Sequence, residues 1–300
     1  VASNVRIVML GTGAALVDPD RGHSGIALSV EGRHYLLDIG HGTTRQLVRA
    51  SIDPAEVNHV FISHLHFDHI EDAGYFVIST WMMNRAVKPV IHGPPGTRRF
   101  VSHLFEDGAF QADIRARAAY KQRAESMEMV RPEVREFGPG MIFDDGTLRV
   151  HAEYVEHIQP DLLHCFGLRI EAGGKVIAFS GDTAPCEAMV RLSQGADLLI
   201  HECTFPEEAL RFRKQVQIGT YAHTSPTELG ILATRAAVKS LVATHFGHFD
   251  TTNAVLKKSL AKHMPIDLVG PQFMESVVRD IRKHYAGPLT IAHDLMRIDL

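Results

Sequence analysis

Four side chains able to bind a metal fall within six consecutive positions, His64, His66, Asp68 and His69, in the run Ser63-His64-Leu65-His66-Phe67-Asp68-His69. They follow directly on Val60-Phe61-Ile62, an apolar run that reads as a buried strand. In extended chain His64 and His66 point to one face, because side chains alternate with period two, and the turn beyond can bring Asp68 and His69 alongside. Imidazole and carboxylate are the donors zinc takes in catalytic sites, and a set lacking thiolate argues against a closed structural zinc. Left unpaired at the end of a buried strand, these groups would be costly to desolvate. A metal site is therefore the reading they carry.

One such cluster does not complete a two-metal site, so further ligands must come from later strand ends. Three candidates stand just past apolar strands: His157 after Tyr154-Val155, Asp182 in Ser180-Gly181-Asp182-Thr183, and His245 in Ala243-Thr244-His245-Phe246. His164 competes with His157, which is preferred because it follows the longer strand. Asp38, in Asp38-Ile39-Gly40, either hydrogen-bonds a ligand or the motif loop, or stabilises its own turn. His248, three positions beyond His245, either reaches the pocket or, on the plainer reading, is a spare surface histidine, and His34, His59, His103, His263 and His284 read as surface or packing residues.

The elements that position these residues alternate strand and helix. Val5 to Leu10 is a strand, followed by the glycine turn Gly11-Thr12-Gly13-Ala14; with Leu at position 16 it does not complete a dinucleotide fingerprint, and it reads as a tight loop near the metal floor. Ile26 to Val30 and Tyr35 to Ile39 form a hairpin across Glu31-Gly32-Arg33. Asp53-Pro54 reads as a cap followed by proline at a first helical position. Ala73 to Asn84, with the single tryptophan Trp81, reads as a helix. Residues 97–130 are helical in pattern, with Arg98, Arg99, Arg115, Arg117, Lys121 and Arg123 scattered through them; they either cap the metal cleft or form a solvated face. Beyond Glu133 come strands at Val134 to Phe137, Leu148 to Val155, Phe166 to Glu171 and Val176 to Phe179. A helix near Pro185 to Leu192 then precedes the strand Asp197 to Ile200, and a helix from Ser225 precedes Leu241 to Ala243. Ser225-Pro226-Thr227-Glu228 is a capping box. These patterns predict an α/β chain forming one domain over 1–300, with two similar halves of roughly 1–140 and 141–300 sharing a core.

With 45% hydrophobic and 22% charged residues, the 300-residue chain has the composition of an ordinary globular protein with ample core material. Its net charge of −4 does not advertise nucleic acid or an anionic membrane. Cys165, Cys186 and Cys203 form no C-x-x-C pair and are too few for a disulfide framework, which points to a reducing, cytoplasmic setting. No apolar run of about 18 residues is present, so no membrane span is expected. Because the chain begins at Val1 instead of Met, a removed signal peptide stays open.

Over nearly its whole length the chain resembles the metallo-beta-lactamase superfamily, and within it the branch of tRNase Z and aryl sulfatase-like hydrolases. The residues that carry the likeness are Leu10-Gly11-Thr12-Gly13, Asp38-x-Gly40, the His64 to His69 motif, Ser180-Gly181-Asp182-Thr183, His201-Glu202-Cys203-Thr204, His223-Thr224-Ser225 and Thr244-His245-Phe246. The ending Tyr285-Ala286-Gly287-Pro288-Leu289 resembles that of lactam-hydrolysing relatives. The resemblance implies a four-layer αββα sandwich with two zinc ions at one edge, manganese or iron being the alternatives. His64, His66 and His157 would hold the first ion, Asp68, His69 and His245 the second, and Asp182 would bridge them. His66 separates the site from the diiron branch, where a glutamate stands. By the same likeness Glu202 would orient His223, which would stabilise the developing oxyanion or protonate the leaving group; helping to cap the helix from Ser225 is the plainer role for His223. Asp68 counts as catalytic as well as a ligand.

The function expected on this basis is a dinuclear zinc hydrolase using a metal-bridging hydroxide on a small organic substrate: a sulfate ester, phosphodiester, lactone or lactam. Trp81, Met82 and Met83 would line an apolar pocket or belong to the core. The tRNase Z family carries a long arm between the residues matching His157 and Asp182, whereas here only a strand, Gly173-Gly174 and another strand occupy that interval. A tRNA substrate is on that ground not expected. The alternative is a nucleic-acid phosphodiesterase with Arg98, Arg99, Arg115 and Arg117 as a phosphate track, and a third reading is a binding or sensing protein. A homodimer is expected by analogy.

Overall fold

The computed structural model describes residues 5–106, 108–217, 222–262 and 264–300; His263 lies outside them. The strands run in chain order as β1 Val5–Gly11, β2 Gly25–Val30, β3 Arg33–Leu37, β4 Val57–Phe61, β5 Val90–Gly93, β6 Glu133–Glu136, β7 Gly140–Asp144, β8 Leu148–Tyr154, β9 Phe166–Ala172, β10 Lys175–Phe179, β11 Leu198–Glu202, β12 Leu241–Thr244, β13 Leu289–Ile291 and β14 Met296–Asp299. They form two mixed sheets with helices in the connections, the α/β class the alternation predicts. Two compact units divide the chain, one built of residues up to Gly11, Gly22–Gly138 and Asp294–Leu300, the other of Thr12–Arg21 and Pro139–His293.

In the first unit the sheet order is β14-β1-β2-β3-β4-β5-β6. Neighbours from β14 to β3 are antiparallel, and those from β3 to β6 parallel. The β2–β3 hairpin turns through Glu31 (φ 51°) and Gly32 (φ 80°), two left-handed residues whose twist matches that of the strands. Parallel neighbours require crossovers, which supply the helices Thr43–Arg49, Ala73–Met82 and, between β5 and β6, Thr97–Phe105, Gln111–Ala118 and Lys121–Glu125. The Asp53 carboxylate caps the short 3-10 turn Pro54–Glu56 by accepting from Ala55 N at 2.8 Å. One apolar cluster joins Val60, Ile62 and Ile91 of the sheet side to Phe76, Val77 and Trp81, and to Val101, Phe105, Ile114 and Val130. The 97–130 segment thus buries an apolar side in this unit's core. Trp81 is core and not pocket wall: it is 1% exposed, and its Nε1 donates to Ser126 Oγ at 2.9 Å. Arg123 stacks over its ring and donates to the carbonyls of Trp81 and Met82.

In the second unit the order is β13-β12-β11-β10-β9-β8-β7, parallel from β13 to β10 and antiparallel from β10 to β7. Gly173 and Gly174, at φ 58° and 73°, make the β9–β10 turn. The helix Pro226–Arg235 starts at the expected capping box: Ser225 Oγ accepts from Glu228 N at 3.2 Å, and Glu228 Oε2 accepts from Ser225 N at 3.1 Å. Its Leu229, Leu232 and Ala233 pack with Val277, Ile281 and Tyr285 on Leu199 and Ala243 of the sheet. Among the described residues no helix is long and apolar enough to cross a membrane. The His64 to His69 motif, Asp182 and His245 follow the carboxyl ends of strands in the parallel part of their sheets, where loops leave an open α/β sheet, whereas His157 follows β8 in the antiparallel part.

Candidate metal centre

In the first unit β4 hands the chain to the motif. Ile62 still donates to His92 O, after which His64, Asp68 and His69 are buried and His66 is half-buried. Asp38, just beyond β3, organises this loop from φ +57°, a region that aspartate tolerates better than most residues. Its Oδ1 accepts from Ser63 N at 2.8 Å, and its Oδ2 accepts from Ser24 Oγ and Ser63 Oγ at 3.1 Å each. His69 Nδ1 lies 2.7 Å from the same Oδ2. Asp38 therefore hydrogen-bonds both the motif loop, through Ser63, and His69, one of the residues expected to hold a metal. Gly40 is required where it stands, since a Cβ there would lie 2.1 Å from Asp68 O.

Each pair of motif residues turns donor atoms inward. His64 Nε2 faces His66 Nδ1 at 3.0 Å, and His69 Nε2 faces Asp68 Oδ2 at 3.6 Å. Both pairs belong to groups of ligand atoms lying within 4.8 Å of one another.

In the second unit the same is true of His157 with Asp182 and of Asp182 with His245. The Asp182 carboxylate presents Oδ2 to His157 Nε2 at 3.7 Å and Oδ1 to His245 Nε2 at 3.3 Å. His157 Nδ1 donates to Ala222 O at 2.7 Å, and His245 Nδ1 lies 3.0 Å from Thr204 Oγ1. Burial pushes the His157 pKa down, against the opposing pull of Asp182 and Ala222, so the ring is neutral, the form that can donate a lone pair. Beside them His223 Nδ1 donates to Glu202 Oε1 at 2.9 Å. Burial opposes a charge on His223, but the adjoining Glu202 charge and hydrogen bond outweigh it and hold its pKa up to about 9. Glu202 is itself held below the usual carboxylate range: burial works against its charge, and His223 more than offsets it.

The donor sets fit a metal. Ligand atoms bound at about 2.0–2.1 Å in octahedral or tetrahedral array sit about 2.8–3.4 Å apart; two of the four pairs above, at 3.0 and 3.3 Å, fall in that range, and the other two, at 3.6 and 3.7 Å, lie just beyond it. The rings of His64, His69, His157 and His245 each engage Nδ1 with an oxygen and turn Nε2 toward a partner ligand. This is how metal-binding imidazoles are held in one tautomer and orientation. These are metal-binding groups for a divalent ion.

Other expectations fare differently. His164 packs on the Tyr154 ring, 5.7 Å between centroids, and is not in either ligand group. His248 is not a surface residue: it is fully buried at φ +63°, with Nδ1 at 2.5 Å from Asp18 Oδ2 and Nε2 at 3.3 Å from Ala14 O. It fastens the Thr12–Arg21 loop, whose Thr12 and Ala14 also bond the backbone of Phe246, next to His245. Of the arginine track, Arg98 donates to Val134 O and Arg117 pairs with Asp113, while Arg99 and Arg115 are exposed. The sequence places Thr204 in the His201 to Thr204 motif but assigns it no role, because only folding brings it to both His223 and His245.

The family described as Anti-Pycsar protein Apyc1 matches residues 5–213. The chain is 29% identical to "Ribonuclease Z" of Mycobacterium bovis over 303 residues, covering 99% of this chain and 98% of that one. Among solved structures, the metallo-beta-lactamase fold protein YhfI from Bacillus subtilis superposes with a TM-score of 0.72 at 18% identity, over 99% of this chain and 100% of that one. Human tRNase Z, short form, gives 0.66 at 24% identity over 98% of each chain.

The mycobacterial relative overturns the expectation of a small-molecule substrate with tRNA set aside. Its alignment runs over 303 positions and takes in 99% of this 300-residue chain, which leaves no room for an arm of tens of residues in the relative that this chain lacks. A protein named for ribonuclease activity manages without the arm whose absence argued against tRNA. The chain belongs to the family described as Anti-Pycsar protein Apyc1, in the tRNase Z-like branch of the metallo-beta-lactamase superfamily, and is a metal-dependent hydrolase.

Proposed function

We propose that the chain is a nucleic-acid phosphodiesterase that hydrolyses RNA, with two zinc ions held by His64, His66, Asp68, His69, His157, Asp182 and His245. The observation that carries the reading is the Asp182 carboxylate, whose two oxygens face two different imidazoles. A carboxylate so placed could serve two ions, one beside each imidazole. The name of the mycobacterial relative, matched over 99% of this chain, supports RNA as the substrate.

When bound, the ions would polarise the phosphate and lower the pKa of the attacking water. The protein's part is to place protons. With Nδ1–H given to Glu202, His223 has Nε2 left to hand a proton to the leaving oxygen, and Glu202 keeps the ring in that orientation and charged. Thr183 N and Thr224 N, each 3.2 Å from Glu202 Oε1, hold the carboxylate still. Asp68 would help to hold a metal ion and could accept the water's proton.

The test is cleavage of a 3′-extended precursor tRNA and of a bis-aryl phosphate by the zinc-loaded chain. Wild type should cut both, Asp182→Ala should lose metal and activity together, and His223→Ala should keep its metal while slowing about 10²–10⁴-fold. A fully metallated wild type that cuts neither substrate would end the phosphodiesterase reading. Full activity in His223→Ala would end that residue's role.

A further inference from the structure

Thr204 belongs neither to the ligand sets nor to the Glu202–His223 pair, yet its hydroxyl reaches both. Oγ1 donates to Glu202 Oε2 at 2.8 Å and lies 3.0 Å from His245 Nδ1 and 3.2 Å from His223 Nδ1. We infer that Thr204 is a positioning residue that fixes the hydrogen of His245 on Nδ1, so that Nε2 of that ring is the metal ligand and is coupled to the Glu202–His223 pair. The inference rests on the metal-dependent reading of the same site.

Counting donors and acceptors around Glu202 fixes where the hydrogens lie. A carboxylate only accepts, and Glu202 is buried among groups that give: His223 Nδ1, Thr183 N and Thr224 N to Oε1, and Thr204 N at 3.1 Å together with Thr204 Oγ1 to Oε2. Thr204 has one hydroxyl hydrogen. A charged acceptor makes the stronger bond, so that hydrogen goes to Glu202 and only lone pairs of Oγ1 remain. His245 Nδ1 must then supply the hydrogen between them. A neutral imidazole protonated at Nδ1 has its lone pair at Nε2, and Nε2 is the atom that faces Asp182 Oδ1 at 3.3 Å. Valine has the shape of threonine with neither hydrogen nor lone pair, so Thr204→Val removes the polar contacts and little volume. Serine keeps them.

Two measurements test this. In the metal-free wild type, long-range ¹H–¹⁵N spectra, with His245→Gln identifying the signal, should show neutral His245 as the Nδ1–H tautomer; the Nε2–H tautomer would overturn the inference. This reading stands whether or not the valine variant folds. Zinc titration against a competing chelator should then give two tight equivalents for wild type and Thr204→Ser. Thr204→Val should bind one of the two about 10–100-fold more weakly. Wild-type affinity for both in Thr204→Val, or a serine variant as impaired as valine, would refute it. A wild type that takes up no zinc would instead bring down the metal-dependent reading on which it rests.

Discussion

Replacing Asp38 by asparagine separates the carboxylate's chemistry from the backbone around it. Asparagine tolerates the left-handed conformation at least as well as aspartate, so φ +57° is not what changes. The carboxylate now accepts from Ser63 N through one oxygen and from His69 Nδ1, Ser24 Oγ and Ser63 Oγ through the other. An amide offers one oxygen. Whichever way it turns, either the Ser63 N–H or the His69 ring meets an NH₂ group in a site with no exposure. Losing a hydrogen bond to a charged acceptor costs about 1.5–3 kcal/mol, and stranding a buried donor about 1–3 kcal/mol. The two effects together come to about 2.5–6 kcal/mol. Urea unfolding of the metal-stripped protein reads this directly, as a lower midpoint at unchanged slope. Zinc affinity should fall about 10–100-fold as well, since His69 loses the partner that aims it. A loss under about 1 kcal/mol with zinc affinity intact would refute the assignment of Asp38 as the anchor of the motif loop.

Ser225→Ala removes the hydroxyl half of the capping box at Pro226–Arg235 and should cost about 1 kcal/mol in the same unfolding assay, with hydrolysis unchanged; no change in stability would mean that the box is geometric only. His92 concerns acid stability. Burial, helped by His59 and Arg135, pushes its pKa down to about 3, whereas the unfolded chain takes up the proton near 6.5. Stability from this group is complete above pH 6.5 and is lost as pH falls toward 3, by about 1.4 kcal/mol per unit. His92→Asn should flatten the unfolding free energy of metal-free protein between pH 6 and pH 4 by about that slope, and parallel profiles for the two chains would contradict it.

What the sequence disclosed about the site was what neighbours in the chain can disclose. His64 to His69 announce themselves because a strand end and its turn are local. His157, Asp182 and His245 could be found because each also ends an apolar run, and the Ser225 box is written in four consecutive residues. His248 was misjudged for the opposite reason: the acid that buries it, Asp18, is 230 positions away, and nothing beside His248 betrays it. Trp81 was ambiguous because an apolar residue on a helix reads alike whether it faces a core or a ligand; only the packing of 97–130 and Arg123 decides. The substrate was misread because an inference from a missing segment depends on which relatives carry it.

The pairing of β1 with β14 bears on how the chain is made. One edge of β1 bonds to β2, which is synthesised soon afterwards, but the other bonds to Met296–Asp299, with Leu295 N and Leu300 N reaching back to Met9 O and Val5 O. Until Met296–Asp299 leave the ribosome, Val5, Ile7, Val8, Met9 and Leu10 border an open strand edge of the kind that recruits other chains. A nascent chain should therefore need protection from aggregation at β1 for as long as the residues between β1 and β14 are being made. Once β14 has docked, the outer edge displays Arg297 and Asp299 in alternation, and charge on that edge takes over the work of keeping neighbouring molecules apart.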